Sequence, residues 1–509
     1  MTEQVLPKKT HRCDLLPHAM NDGKAAAVRD LLRAWRNTAT RIGAEQWRLF
    51  FESRAFDKRT KITYPDDPIG AARVQMVRYQ VVGMLSSFVT NRANDYRDMV
   101  ERSSLDKDTR HQLHVINRRK AWFSHKSVTV KDADAPIPDD IRRLARSIMR
   151  GVLKRHRKPS MRRINAVVDQ RGVAWGPAET ATGFPLWATL KTMERRLNAA
   201  GQPSKAFGEI HVPLLPYEHY LERPGRRCLG LQVNEADDGT ITFGIITETT
   251  EEFAGSRGAY APEKEVVSVD FGLRTMFATD DGDLFGRTWF EKLKRYDVEI
   301  TALARAVQKA GRKPRHDPAY KAAVKRLRGF VKTEIGRVLN RIVAVKKPKA
   351  LALEQLNFRS PDLSRRMNRI LQNCGRSVIR AKLQDLFERF GITSEEVNPA
   401  YSSQECSACG YVDRRNRKQD TFKCLHCGHT AHADVDGART VRSRRSRPIA
   451  QPYLTKAKVL DMLVTQFVER HPDGRVYTGA GPWQSNPYFA KVRRASQRPP
   501  DVVAAEPAL

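Results

Sequence analysis

Four cysteines near the C-terminal end constrain this chain more than any other feature. Cys406, Cys409, Cys424 and Cys427 follow the pattern C-x2-C-x14-C-x2-C. Two such pairs bring four thiolates round one tetrahedral zinc ion, and Gly410 and Gly428 follow the pairs where a knuckle turn wants positive φ. His426, His429 and His432 lie close enough to compete as ligands, but four cysteines complete the shell without them. Cys13, Cys228 and Cys374 are scattered and read as small buried hydrophobes. A disulfide framework is not expected in a long basic chain with no other paired cysteines. One structural zinc ribbon is.

A ribbon is a small part of 509 residues, which is several domains' worth at about 100–200 residues each. The 40% hydrophobic content and seven tryptophans supply real cores, which excludes wholesale disorder. Lys and Arg number 91 against 57 Asp and Glu, a formal charge of +34. Such an excess calls for a polyanion: nucleic acid first, an anionic membrane surface a distant second. No apolar run approaches the roughly 18 residues of a membrane span. The opening MTEQVLPKKTHRCDLLP has neither the apolar core nor the cleavage site of a secretory leader. The expectation is a cytosolic protein that binds nucleic acid.

Hydrophobic periodicity divides the chain. Residues 24–52 read as an amphipathic helix, with Val28, Leu31, Leu32, Trp35, Ile42 and Leu49 near one face, and residues 69–100 as a second. Arg142, Arg143, Arg146, Arg150, Lys154, Arg155, Arg157 and Lys158 make a basic helix before Pro159. Charge runs are usually solvated faces, but eight cations with almost no acids between them favour a phosphate-facing surface. Arg118, Arg119 and Lys120, beside Trp122 and Phe123, can grip phosphate and stack on bases, or the aromatics can simply pack. From about Phe207 to Thr250 short β-like runs appear, with a hairpin turn at Asp237-Asp238-Gly239. Next come a strand ending at Asp270 and two more, TMFATD and LFGRTWF, flanking Asp281-Gly282. Residues 291–347 are helical, with 17 Lys and Arg against 5 Asp and Glu, interrupted near Pro314 and Pro318. A strand ending at Glu354 follows, then a helix over 365–390 that stops at Gly391, then the ribbon.

Three acidic residues stand out by position. Asp270 and Glu354 end apolar strands, and Asp434 opens a helix just after the ribbon. Carboxylates there are costly unless paired or metal-bound. Singly each has a plain alternative: a turn cap, a lysine partner, an N-cap. Together they fit the RNase H type of fold, in which an Asp on the first strand, a Glu on the fourth and an Asp on the last helix hold two Mg2+ ions. Magnesium prefers hard oxygen ligands. Two ions activate a water and stabilise the leaving oxygen of a phosphodiester displacement.

At these residues the sequence resembles a known family. Val-Asp-Phe-Gly at 269–272, Leu-Glu-Gln-Leu-Asn at 353–357, Asn-Pro-Ala-Tyr-Ser-Ser-Gln-Glu-Cys-Ser-Ala-Cys-Gly at 398–410 and Ala-Asp-Val-Asp-Gly-Ala-Arg at 433–439 carry the likeness. It is similar to TnpB, the transposon-encoded RNA-guided nuclease, and to its descendants, the miniature type V CRISPR effectors. The match is specific over about 263–445 and architectural before that. Ser402 stands where the family usually has Thr, and Asp436, where it usually has Asn, adds negative charge beside the metals. The greater length and C-terminal tail favour a CRISPR-associated descendant.

The resemblance implies a multidomain α+β protein with a helical recognition lobe, a small β-barrel wedge domain and an RNase H-like (RuvC) nuclease domain holding an inserted zinc ribbon. Residues 1–20 would begin the wedge, 21–204 form the lobe and 205–262 complete the wedge barrel. Residues 263–400 and 432–446 would form the nuclease on either side of a ribbon at 401–431, with a mobile tail over 447–509. It implies Asp270, Glu354 and Asp434 as catalytic ligands of two Mg2+, one structural Zn2+, and a guide RNA and target DNA with a short flanking motif as partners. Arg118, Arg119, Lys120, Trp122, Arg146, Arg150, Lys154, Arg155 and Arg157 are the nucleic-acid-binding candidates. The activity implied is RNA-guided DNA cleavage in the prokaryotic cytosol, nucleoid-associated on target. An RNA-guided binder that does not cut, a transposon-encoded nuclease and a transposase acting directly on DNA ends are the alternatives.

Overall fold

A computed structural model describes residues 9–492 apart from 59–68, 102, 104, 131–134, 157, 179–182, 237, 355–357, 359–360, 452–453 and 472–484. The chain divides into two compact units, one of His11–Thr249 and the other of Thr250–Leu509 with the first ten residues. It is a mixed α/β, multidomain protein.

In the first unit, strand β1 (His11–Leu16) leads into helices α1 (Asp22–Ser53), α2 (Ala71–Glu101), α3 (Lys107–Arg118) and α4 (Asp139–Arg155). Helix α1 starts where the Asn21 side chain accepts from Lys24 N, and its apolar stripe, from Val28 to Ile42 through Trp35, is buried as the periodicity expects. Strands β2 (Ala166–Val168), β3 (Val173–Pro177), β4 (Leu186–Leu197) and β5 (Pro203–Leu214) follow, then the short helix α5 (Glu218–Leu221) and strands β6 (Arg226–Glu235) and β7 (Ile241–Glu248). They form two antiparallel sheets, β1-β7-β6-β2 and β3-β4-β5. Here the structure corrects the sequence reading: strands begin at Ala166, inside the stretch expected to be helical to residue 204. The period-2 alternation of buried Leu186, Ala188 and Leu190 is their signal.

The second unit opens with helix α6 (Thr250–Ala259) and strands β8 (Lys264–Phe271), β9 (Phe277–Thr279) and β10 (Leu284–Phe285). The strand expected over 284–290 ends at Phe285, because Trp289 and Phe290 already bury themselves in helix α7 (Trp289–Lys309). Helix α8 (Pro318–Lys346) starts on a Pro at its first position, capped by Asp317. Strand β11 (Pro348–Glu354), helix α9 (Arg365–Phe390) and strand β12 (Thr393–Val397) complete a five-stranded sheet of order β10-β9-β8-β11-β12. The central β8, β11 and β12 are parallel, and β9 and β10 antiparallel.

Both faces of that sheet are covered, as a parallel sheet requires. Val267, Val269, Leu351 and Leu353 face a core built with α7, α8 and α9. Val266, Ala350 and Ala352 face the other way, onto Val441 of helix α10 (Ala433–Arg444). Between β12 and α10 the ribbon contributes strands β13 (Arg417–Lys418), β14 (Thr421–Lys423) and β15 (Thr430–His432). Helix α11 (Lys456–Arg470) and residues 485–492 pack beneath it: Val459, Leu463, Phe467 and Phe489 share a core with Tyr411, Val412 and Phe422. These parts of the tail are therefore docked, not mobile. The apolar spacing in 459–467 supplies the helix face, and Asn486, fully buried, donates to Val412 O and Tyr411 Oη.

Candidate active site and metal centre

Side-chain alternation assembles the three carboxylates. Ala352 pairs with Ser268 and Leu353 with Val269 in parallel register, so Glu354 ends β11 beside Asp270 on β8. Asp270 and Glu354 lie two residues beyond Ser268 and Ala352, hence on the face that α10 covers. Asp434, in the first turn of α10, is brought to the same place. Gly437, one turn on, lets the helix come close: a Cβ there would stand 2.8 Å from Asp270 Oδ2. Asp270 is 7% exposed and Asp434 6%. Burial pushes the Asp270 carboxyl well above the usual range, with repulsion from Glu354, a hydrogen bond to it and the charge of Asp434 adding to the effect. Arg417 offsets part of this, and its Nη2 donates to Asp434 Oδ1 at 2.7 Å. Ser402 Oγ donates to Glu354 Oε2 at 2.7 Å.

Neighbouring hard carboxylates, one of them made harder to ionise by burial and by the other two, are the donor type that a divalent cation such as magnesium takes. Arg417 and Ser402 are the contacts that sequence reasoning missed. Ser402 was visible as part of a motif, but its bond to Glu354 spans 48 positions. Arg417 carries no local signal at all.

The four cysteines converge. Their Sγ atoms all lie within 4.8 Å of one another. Cys406 Sγ and Cys427 Sγ are 3.7 Å apart, and Cys409 Sγ and Cys424 Sγ 3.6 Å. A zinc tetrahedron with Zn–S of about 2.3 Å has an edge of about 3.8 Å, so the shell fits that ion. All four are free thiols. Gly410 and Gly428 take φ of 80° and 75°, and their N–H groups close the knuckles onto Cys406 O and Cys424 O. Hydrogen bonds from Cys406 and Cys409 lower the Cys424 thiol below its ordinary value, the direction that favours a thiolate ligand.

Asp436 departs from its expected place. It faces the ribbon: Ser407 Oγ donates to Asp436 Oδ1 at 2.5 Å, and His429 Nε2 lies 3.0 Å from the same oxygen. Its added charge therefore sits between the two cysteine knuckles and not beside Asp270. The alternation along α10 accounts for this, since residues two apart on a helix point to different sides.

The nucleic-acid-binding candidates belong to the other unit. Trp122 is 5% exposed, packs near Tyr96 and donates its Nε1–H to Asn117 Oδ1, so it is a core residue and not a base-stacking platform. Arg118 and Arg119 are exposed and Lys120 half-buried. On α4, Arg150, Lys154 and Arg155 are exposed and Arg146 half-buried, while Ala145, Met149 and Val152 are buried. Arg142 is bound to Asp139 and to three backbone carbonyls, which gives it a local role. Arg157 lies outside the described residues.

A unit that sets carboxylates at the ends of two parallel strands and on a later helix, with a four-cysteine ribbon spliced in before the third, defines a distinctive class of α/β protein. Within it, residues 377–441 match the family described as Cas12f1-like, TNB domain. Over 75 residues the chain is 40% identical to the CRISPR-associated endodeoxyribonuclease Cas12f1 of Sulfoacidibacillus thermotolerans, covering 14% of this chain and 18% of that protein. Over 255 residues it is 28% identical to the putative RNA-guided DNA endonuclease InsQ of Escherichia coli K12, covering 46% and 61%. It thus spans less than two thirds of either relative's length. A solved Cas12f1–sgRNA–target DNA complex aligns with 85% of this chain and 98% of that one, at 11% identity and a TM-score of 0.39. Over these stretches the chain is similar to Cas12f1 and to InsQ. Among the described residues, no helix is long and apolar enough to cross a membrane.

Proposed function

We propose that this chain is an RNA-guided DNA endonuclease of the compact type V kind, with a RuvC-like site in its second unit. The observation that carries the reading is the approach of Asp270, Glu354 and Asp434 on the α10 face of the sheet, where burial and the neighbouring carboxylates raise the Asp270 pKa. Asp270, Glu354 and Asp434 would hold two Mg2+ ions, which supply an activated water and charge neutralisation for in-line phosphodiester hydrolysis. The chain's own groups set the stage. Ser402 donates to the Glu354 carboxylate, and Arg417 pairs with Asp434. Arg417 also lines an open groove of about 430 Å³ with Arg274 and Arg414, where phosphates of a strand entering the site would find guanidinium partners. The ribbon over 401–431, with one Zn2+, delivers Asp434 by anchoring the start of α10.

On this reading the helices of the first unit form the recognition lobe and its sheets the wedge. Guide RNA and target DNA with a short flanking motif are the partners, and the protein works in the prokaryotic cytosol. Net charge of +34 supports the polyanion partners.

The test is to purify the protein with its RNA, sequence that RNA, and assay cleavage of matching DNA with and without magnesium. Asp270→Ala should abolish cleavage while leaving RNA retention intact. Cleavage at the wild-type rate in that variant removes Asp270 from the site, and absence of any defined RNA removes the guide.

A further inference from the structure

Glu354 closes β11 half-buried, and its side chain has one more rotatable bond than Asp270 or Asp434, so the strand end alone does not fix its carboxylate. What steadies it comes from the loop that joins β12 to the ribbon. The buried Ser402 Oγ donates to Glu354 Oε2 at 2.7 Å, but Pro399 O competes for the same proton at 3.1 Å. A hydroxyl has a single proton to give, so the backbone beneath it decides which acceptor is served. That backbone is strained. Tyr401, a bulky residue, holds a φ of 63°, in the left-handed region that favours glycine. Such a conformation persists only where the surroundings over-determine it.

The surroundings do so, and they come from beyond the third carboxylate. Asn398 is buried with all its polar atoms engaged. Its backbone N–H donates to Ala450 O, and its Nδ2 to Gln451 O and Leu454 O, both at 3.0 Å. Its Oδ1 accepts from Ala400 N at 2.9 Å, and its carbonyl oxygen from Arg444 Nη1 at 2.7 Å. At the other end of the loop Glu405 is buried with Arg444, whose Nε donates to Glu405 Oε2 at 2.8 Å. Arg447 Nη1 donates to Glu405 Oε1 at 2.7 Å. Tyr488 packs edge-on against Tyr401, and its hydroxyl donates to Gln404 Oε1 at 2.8 Å. Arg444 stands at the far end of the helix that opens with Asp434. It grips both ends of the loop whose middle reaches Glu354.

A buried polar network has a plain explanation, that it fixes which way the chain turns. Two observations go beyond it. Ser402, next to the strained position, makes its shorter hydrogen bond outside the loop, onto a carboxylate of the trio. The anchors of the loop lie on α10 and just after it, so Glu354 and Asp434 are placed relative to one another by a single connected structure. We infer that Ser402 is a positioning residue that orients Glu354, and that Asn398, held by the segment following α10, keeps Ser402 aimed. The inference deepens the proposed nuclease site and rests on that reading for its reaction.

The experiment uses the full chain in two forms: with its RNA for single-turnover cleavage, and freed of nucleic acid for binding of Mn2+ as a probe of the carboxylate site. Ser402→Ala should lower both the cleavage rate and the Mn2+ affinity by about 10- to 100-fold, the usual effect of removing a partner that orients a metal-holding group. Binding of target DNA should not change. Ser402→Thr keeps the hydroxyl and should recover most of both losses. Asn398→Ala should also slow cleavage, yet add little in the Ser402→Ala background, because residues that act through one another are not additive. Thermal unfolding and zinc content confirm that each variant folds. Should Asn398→Ala fail to fold, Tyr488→Phe takes its place in the same cycle with a smaller loss, since it removes only the bond to Gln404. A wild-type rate and Mn2+ affinity in folded Ser402→Ala overturn Ser402 as a positioning residue. Losses that simply add in the double variant overturn the link to Asn398. Failure of the RNA-guided reading looks different: no form of the protein, wild type included, would cut guide-matched DNA, while Ser402→Ala would still weaken Mn2+ binding.

Discussion

Replacing Gly437 with Ala puts two effects in opposition, and the structure gives the size of each. Alanine in a helix interior gains about 1 kcal/mol over glycine. The new Cβ, however, would stand 2.8 Å from Asp270 Oδ2 and 3.1 Å from its Cγ. To reach ordinary van der Waals distance the carboxylate or the helix must retreat by about 0.6 Å. A side chain driven some 30° off its rotamer costs about 0.5–1.5 kcal/mol, so the net change in stability should be within about 1 kcal/mol of zero. Catalysis has no such offset, since an error of about 1 Å in a reacting group can cost about 100-fold. Gly437→Ala should therefore unfold near the wild-type temperature yet cut guide-matched DNA at least about tenfold more slowly. Gly329→Ala in α8 is the control, because its Cβ meets nothing within 4 Å: stability should rise and cleavage stay constant. Thermal unfolding and single-turnover cleavage on the same preparations decide the matter. Wild-type cleavage by Gly437→Ala would refute the claim that α10 presses on a working Asp270.

Cys406→Ser should lower zinc from about one ion per chain, the expectation for one four-cysteine shell, and loosen the region preceding Asp434, because metal-binding energy in such modules is folding energy; elemental analysis and limited proteolysis read both. Asp270→Asn should stabilise the magnesium-free protein. The folded carboxyl is raised above its unfolded value, so its contribution is present at low pH and lost as pH rises through the folded pKa. The advantage of Asp270→Asn in unfolding temperature should grow from acid to neutral pH, and a constant difference would contradict the sign. Phe489→Ala removes a fully buried ring beneath the ribbon and should cost about 3–5 kcal/mol, seen as faster proteolysis after residue 470. No change would mean that this stretch is undocked in solution.

What the sequence disclosed follows from which interactions are local. Helix α1, the stop of α9 at Gly391 and the positive φ of Gly410 and Gly428 are set by periodicity and short-range sterics, and they stand where expected. So do the cysteine shell and the strand-end positions of Asp270 and Glu354. The strands from Ala166 onward were missed because charged residues dilute their alternation, as in Lys191, Glu194, Arg195 and Arg196 of β4. Trp122 was ambiguous because basic neighbours in sequence say nothing about which way a ring points; Asn117, five residues earlier, takes its N–H. Asp436 was misplaced for a related reason. Its sequence neighbour Asp434 belongs to the carboxylate cluster, but its partners Ser407 and His429 come from the two knuckles.

The parallel pairing of β8 with β11, and the late arrival of α10, also fix a timetable. Asp270 precedes Glu354 by two long helices, and Asp434 comes only after the ribbon. At a ribosomal pace of about 5–20 residues per second, roughly ten to thirty seconds separate the emergence of the first carboxylate from that of the third. The helices α7 and α8 can form from local contacts in that interval, whereas the non-local strand pairing must wait for its partner. A nascent or prematurely terminated chain that ends before α10 thus possesses most of the basic surface but lacks one carboxylate of the trio. On the proposed function, its capacity to hold nucleic acid would mature before its capacity to break it.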